Sequence, residues 1–168
     1  MALILNEQQI KQKIKRLAIQ ILEQNHDETE VYLIGINNNG LGFAQMLLEA
    51  INSIEVAKPT FLMTQVMLNP AAPLAKAVEI QTPLDELEGK ALIFVDDVAN
   101  TGRTIFYAMQ PVLLDIVPKK VEVAVLVDRK HKSFPISINY VGLSLATTLS
   151  ENIDVQIRDV EAMAVYLN

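Results

Sequence analysis

At 168 residues, with 51% hydrophobic residues and a mean hydropathy of +0.25, the chain is long enough for one domain with a substantial core and too apolar for disorder. A net charge of −6 and a pI near 4.9 argue against nucleic-acid binding driven by overall charge, and the lack of cysteine excludes disulfides, thiol catalysis and thiolate metal sites. No apolar run approaches the roughly 20 residues of a membrane span, and the start turns polar by Asn6 without the pattern of an export signal, so a cytoplasmic protein with no membrane contact is expected.

In chain order, Asn6 caps a predicted helix through about Gln24, with Ile10, Ile14, Leu17, Ile21 and Leu22 on one stripe. That stripe covers a sheet or packs on a second subunit. Lone His26 falls in the loop that follows. Val31–Ile36 reads as a buried strand, Asn37-Asn38-Asn39-Gly40 as a polar turn, and Leu41 to about Ile51 as a helix. Thr60–Leu68 and Val78–Thr82 read as strands; between them Asn69–Pro73 breaks regular structure, as a projecting loop or hairpin tip. Pro83–Gly89 is a polar connector.

Ala91–Val95 is a short apolar strand that Asp96 and Asp97 end. Asn100-Thr101-Gly102 forms a turn, and from Arg103 apolar residues recur at Ile105, Phe106, Met109, Val112 and Leu113, one helix face. Pro111 kinks that helix or marks its real start. Val121–Val127 is a strand, followed by Asp128-Arg129-Lys130-His131-Lys132, a short strand at Asn139–Gly142, a Thr147–Ser150 turn, and closing strands at Ile153–Ile157 and Ala162–Tyr166. The pattern is a single α/β domain over residues 1–168, with a mainly parallel central sheet flanked by helices. Ligands of such sheets bind beyond the carboxyl ends of strands, where the loops after Ile36, Val95 and Val127 lie.

The loop after Val95 suits a phosphorylated, polyhydroxylated ligand. A phosphate can sit on the Thr101–Thr104 turn, held by backbone N–H groups and hydroxyls, with Gly102 allowing close approach. Two carboxylates at the strand end can accept hydrogen bonds from vicinal hydroxyls or share a hard cation such as Mg²⁺. A ribose phosphate meets both demands. The basic clusters Lys11, Lys13, Lys15, Arg16 and Arg129, Lys130, Lys132 read first as solvated faces and only second as a nucleic-acid footprint.

The run from the strand through Asp96, Asp97 and T-G-R-T resembles the phosphoribosyl-pyrophosphate (PRPP) signature of the type I phosphoribosyltransferases. Further on, A-V-L-V-D-R-K-H-K-S-F-P-I and the closing V-x-I and A-V-Y-L segments resemble the pyrimidine-operon attenuation regulators that also carry uracil phosphoribosyltransferase activity. The likeness covers nearly the whole chain. It implies the type I fold with a small C-terminal hood, and transfer between PRPP and a nucleobase, uracil, giving the nucleoside monophosphate and pyrophosphate with Mg²⁺. It also implies RNA as a partner, which the acidic pI disfavours, while the apolar stripe on Ile10–Leu22 and the Pro70–Pro73 loop point to a homo-oligomer, a homodimer.

Carried onto this chain, the resemblance makes Asp96 and Asp97 the catalytic pair that binds the ribose hydroxyls and, indirectly, the metal. Val98, Ala99, Asn100, Thr101, Gly102, Arg103 and Thr104 bind PRPP through its 5′-phosphate; Asn37, Asn38, Asn39 and Gly40 form the pyrophosphate loop. Asp128, Arg129, His131, Ile138, Tyr140 and Val141 form the base wall. Three departures accompany it: the three asparagines stand where the family has a basic residue and an Arg, Gln65–Lys76 is apolar where the family's mobile loop is polar, and Asn139 and Leu143 replace an Asp and a Lys. Neutral amides donate hydrogen bonds without neutralising a departing pyrophosphate. The alternative function is therefore a nucleotide-sensing regulator without turnover.

Overall fold

The chain opens on a strand that the sequence does not announce. In the computed structural model, which describes residues 1–168, Ala2–Leu5 (β1) pairs antiparallel with Ala164–Leu167 (β9), which pairs with Ile153–Gln156 (β8). The hood is thus built from both ends of the chain. Helix α1, Glu7–Gln24, starts on a capping box: Asn6 Oδ1 accepts the Gln9 N–H and Asn6 N–H donates to Gln9 Oε1, both at 2.9 Å. Its apolar stripe is buried within the chain, so it covers the sheet and is not left for a second subunit.

Glu30–Ile36 (β2) leads into helix α2, which runs Asn37–Ser53 and so begins at Asn37, not at the predicted Leu41. Asn37 adopts a left-handed φ of 54°, which asparagine tolerates, and the chain enters the helix without a separate turn. Thr60–Met67 (β3) and Glu79–Ile80 (β4) form the expected hairpin around Asn69–Pro73. The Pro83–Gly89 connector contains a short helix, Leu84–Leu87 (α3), because Leu87 finds a fully buried seat.

Strand β5 runs Ala91–Ala99, passing through Asp96 and Asp97 where the sequence suggested an end. The neighbouring Lys120–Arg129 (β6) continues to pair there, with Asp96 opposite Val125 and Ala99 opposite Asp128. Helices Arg103–Ala108 (α4) and Gln110–Asp115 (α5) meet at Met109, with Pro111 in the first turn of α5, where its missing N–H costs nothing. Tyr140–Leu145 (β7) closes the sheet at one edge.

The main sheet has the order β4-β3-β2-β5-β6-β7, parallel except for β4. Alternation along the central strands sends Leu33, Ile93 and Leu126 to a core under α1 and α2, and Ile34, Phe94 and Val125 to a core under α3, α4 and α5. No helix is long and apolar enough to cross a membrane. The connection from β2 leads towards β3 on one side, whereas that from β5 leads to β6 on the other. Their parting opens a crevice at the carboxyl ends of β2 and β5, the switch point of the sheet.

Gly40 lets α2 close on that crevice. A Cβ there would stand 2.4 Å from the Val95 carbonyl oxygen, one residue before the acidic pair. Gly40→Ala is expected to destabilise the fold by about 2 kcal/mol through forced backbone separation. Urea unfolding of the variant within about 0.5 kcal/mol of the native chain, the ordinary spread of neutral substitutions, would refute that contact.

Candidate functional site

Two carboxylates with consecutive backbone donors form the floor of the crevice. Asp96 Oδ1 accepts the Asp97 N–H at 2.9 Å, and Asp97 Oδ1 accepts the Val98 N–H at 2.9 Å. Asp97 Oδ2 also accepts from Asn39 Nδ2 at 3.2 Å, a bond from the α2 start across to β5. Burial first, and then the negative charge of Asp97, hold the Asp96 carboxyl well above the usual carboxylate range. Added positive charge here relieves that repulsion.

Beside the pair, Asp96 and residues 98–105 line a cup of about 40 Å³. Gly102 bends the chain with a left-handed φ of 86°, a conformation a β-carbon would strain. The N–H groups of Thr101, Gly102 and Thr104 make no hydrogen bond within the chain, so the cup presents donors to an anion. Its size suits one tetrahedral anion.

A second space of about 470 Å³ adjoins the cup, lined by Asn37, Asn38, Asn39, Asp96, Asp97 and Arg158 among others. Each asparagine spends its carbonyl oxygen on a protein donor: Asn37 Oδ1 accepts the Leu68 N–H at 2.9 Å, Asn38 Oδ1 accepts from Gln65 Nε2 at 3.3 Å, and Asn39 Oδ1 accepts from an Arg158 guanidinium nitrogen at 3.2 Å. The amide nitrogens of Asn37 and Asn38 are left as free donors. Charge is supplied by Arg158, whose stem lies against Gly42.

Sequence reasoning missed Arg158. It lies 119 residues from Asn39, just beyond β8 in an Ile-Arg-Asp run that carries no motif of its own. Gln65 was missed for the same reason: a glutamine in a strand signals nothing until its neighbours are known. Both are brought to the crevice by tertiary structure alone.

The predicted base-wall residues are scattered, and none of Asp128, Arg129, His131, Ile138, Tyr140 and Val141 lines either space. Tyr140 sits at the amino end of β7, away from the crevice, where its hydroxyl donates to Glu122 at 2.9 Å and accepts from Asn25 at 3.2 Å. Burial, followed by Glu122, raises its pKa, which leaves it a neutral core anchor. Ile138 and Val141 pack on the core under α4 and α5. Asp128 pairs with Lys132 at 2.6 Å, and His131 is half-buried without a hydrogen bond to the chain. Arg129 is buried and turned towards Asn100.

The donor set bears on Mg²⁺. No cluster of three or more His, Cys, Asp or Glu side chains occurs, and the acidic pair is the carboxylate donor set at the crevice. Two adjacent carboxylates with raised mutual repulsion do fit a hard cation that keeps water and ligand oxygens around it.

Comparison with known proteins extends this geometry. Residues 2–161 match the model of the phosphoribosyl transferase domain. The chain is 32% identical over 171 residues to the bifunctional protein PyrR of Brevibacillus brevis, covering 98% of this chain and 94% of that one. It is 34% identical over 180 residues to the bifunctional protein PyrR of Bacillus subtilis, covering 99% and 97%. Among solved structures, hypoxanthine phosphoribosyltransferase of Trypanosoma cruzi superposes with a TM-score of 0.77 at 18% identity, covering 98% of this chain and 95% of that one. A hypoxanthine-guanine phosphoribosyltransferase of Bacillus anthracis gives 0.73 at 19%, covering 98% and 96%. At such identities the structural matches speak for the fold.

Asp96 also offers a stability test. A carboxyl whose folded pKa is raised favours the fold fully only below its unfolded pKa, and that contribution is lost as pH rises through the folded value. At neutral pH the charge is therefore a burden. Asp96→Asn keeps the shape and can still accept the Asp97 N–H, so its Tm at neutral pH is expected to rise by about 2–4 °C, the equivalent of roughly 1 kcal/mol in a chain of this size. A lowered Tm by calorimetry would show that the pair is not repulsive.

Proposed function

The chain belongs to the phosphoribosyl transferase domain family, and from that premise we propose that it transfers the phosphoribosyl group of PRPP to uracil, releasing pyrophosphate and forming the nucleoside monophosphate. The observation that carries this reading is the acidic pair set beside a phosphate-sized cup whose N–H groups are free. Uracil as the base comes from the likeness of Val127–Gly142 to the pyrimidine regulators, and the relatives named bifunctional protein PyrR support it.

On this reading the 5′-phosphate occupies the cup made by Val98–Thr104. Asp96 and Asp97 accept the ribose hydroxyls, and their charge favours the electron-poor sugar that forms as the glycosidic carbon loses its leaving group. Mg²⁺, when bound, would neutralise the pyrophosphate, with Asp96 and Asp97 holding it through water and ribose oxygens. Asn37 and Asn38, at the start of α2 where Gly40 keeps the backbone close to β5, donate hydrogen bonds to the pyrophosphate without charge. Arg158 provides the cation that the loop lacks, reaching the crevice through Asn39. The hairpin tip at Pro70 borders the same space, in a position to limit water.

One observation favours a second reading. The only guanidinium at the leaving-group end is exposed and held by a single neutral acceptor together with a loose contact to Asp159 at 3.8 Å. A site so constituted can bind a nucleoside monophosphate, which has no pyrophosphate, without turnover. That is the nucleotide-sensing regulator, with RNA as a further partner.

Pyrophosphate release from PRPP with Mg²⁺ separates the two, with uracil, hypoxanthine and guanine as alternative bases. Release is expected with uracil, falling by a factor of about 100 or more in Asp96→Asn/Asp97→Asn and by roughly 10–100 in Arg158→Ala, the ordinary range for removing groups that stabilise developing charge. Silence with every base, together with tight binding of the monophosphate, would establish the sensor and sink the transferase.

A further inference from the structure

The turn that forms the cup is held by its carbonyls. The Thr101 carbonyl accepts the N–H groups of Ser133 at 2.9 Å and Phe134 at 3.2 Å, and the Asn100 carbonyl accepts Lys132 Nζ at 2.9 Å. Ile136 lies over Gly102, close enough that a Cβ there would meet it at 3.2 Å. The backbone carbonyls of Asn100 and Thr101 are thus pulled towards residues 132–134, while the Gly102 carbonyl accepts the Phe106 N–H of α4 at 2.9 Å. The N–H groups consequently face the other way, into the cup.

Arg129 is the unusual member of this brace. It is 8% exposed and forms no ion pair. Its Nε donates to Thr147 Oγ1 at 2.7 Å, one terminal nitrogen to Asn100 Oδ1 at 3.1 Å, and the other to the Thr148 carbonyl at 3.0 Å. A buried guanidinium with only neutral partners is costly, and an apolar residue would fill the space more cheaply if packing were its purpose. The nearest carboxylate in this chain of bonds is Glu151, which accepts the Thr148 N–H at 2.6 Å and does not touch Arg129. Glu151 attracts the guanidinium through space, but no carboxylate bonds it directly.

We propose that Arg129 is a positioning residue for the ribose-phosphate site: it fixes Asn100, and with it the N–H groups of the cup, by anchoring that turn to the loop at Thr147–Thr148. The three donors of one rigid fork join two segments that no backbone bond connects, which a lysine's single nitrogen cannot reproduce. This inference rests on reading the Val98–Thr104 cup as a phosphate site.

Equilibrium binding of PRPP and of ribose 5-phosphate to the full chain tests it, in the native protein and in Arg129→Gln, Arg129→Lys, Asn100→Ala and the Arg129→Gln/Asn100→Ala double variant, each first shown to be folded by circular dichroism. Arg129→Gln and Arg129→Lys are expected to weaken both ligands by about 10–100-fold, the range for losing a buried, charge-assisted anchor. Where turnover is measured, the loss should fall on the KM for PRPP, with kcat at saturation changed by less than about threefold, a split that general loosening of the fold would not produce. Once Asn100 is Ala, adding Arg129→Gln should cost less than about a further threefold, because the two residues act as one unit. If the native chain binds neither ligand, the phosphate reading falls and takes the inference with it. If the native chain binds both and the folded Arg129→Gln binds within about twofold of it, or if the losses in the double variant simply multiply, the inference alone is overturned.

Discussion

Two carboxyl groups side by side in a partly buried place, which resist ionising together, are the constraint on which this structure turns. The strand that carries them is the centre of a parallel sheet, walled by two apolar cores, so neither carboxylate can retreat fully into water. What makes the arrangement tolerable is local: each carboxylate accepts the next backbone N–H, and Asn39 reaches across to the second. These bonds offset part of the repulsion without cancelling it, and Asp96 keeps its proton to an unusually high pH. A site whose electrostatics are unsatisfied in the bare protein is one that a ligand or cation can satisfy.

The asparagine loop follows from the same constraint. Placing cations at positions 37 and 39 would neutralise the pair from the α2 side. Here the chain instead lays three amides there, each oriented by a donor that takes its oxygen: Leu68, Gln65 and Arg158. Leu68 supplies a backbone N–H and Arg158 a guanidinium, neither of which can act as an acceptor, so the orientations of Asn37 and Asn39 are unambiguous. The positive charge has moved to the hood. Because the hood is a sheet of β1, β9 and β8, the N-terminal strand takes part in placing a guanidinium at the opposite end of the sequence.

The cup lined by Val98–Ile105 is organised from the other flank. Residues 129–136 hold the turn by its carbonyls, and Phe134 packs on Phe106 and Tyr107 of α4 at ring distances of 5.4 and 6.0 Å. The segment read from sequence as a wall for the base also braces the Asn100–Gly102 turn. Tyr140 and Val141 are level with Val95 and Asp96 in the sheet but two strands away, and their side chains pack on the two cores.

What the sequence by itself determined were the features that depend on near neighbours in the chain. Apolar runs and period-3.6 apolar stripes placed the strands and helices, Asn6 marked the start of α1, Pro111 fell at the break before α5, and the contiguous run from Asp96 to Thr104 stood out as an acidic pair beside a small polar turn. Local signals failed where pairing decides: β1 exists because β9 accepts it, β5 continues through two aspartates because β6 goes on pairing there, and α2 begins at Asn37 because its side chain accepts Leu68. Only the tertiary structure decided which residues stand around the pair. Arg158 and Gln65 carry no motif along the chain, Arg129 stood out there only as a basic and base-wall residue, and the places of all three are set by strand order and by long-range hydrogen bonds, which no local spacing encodes.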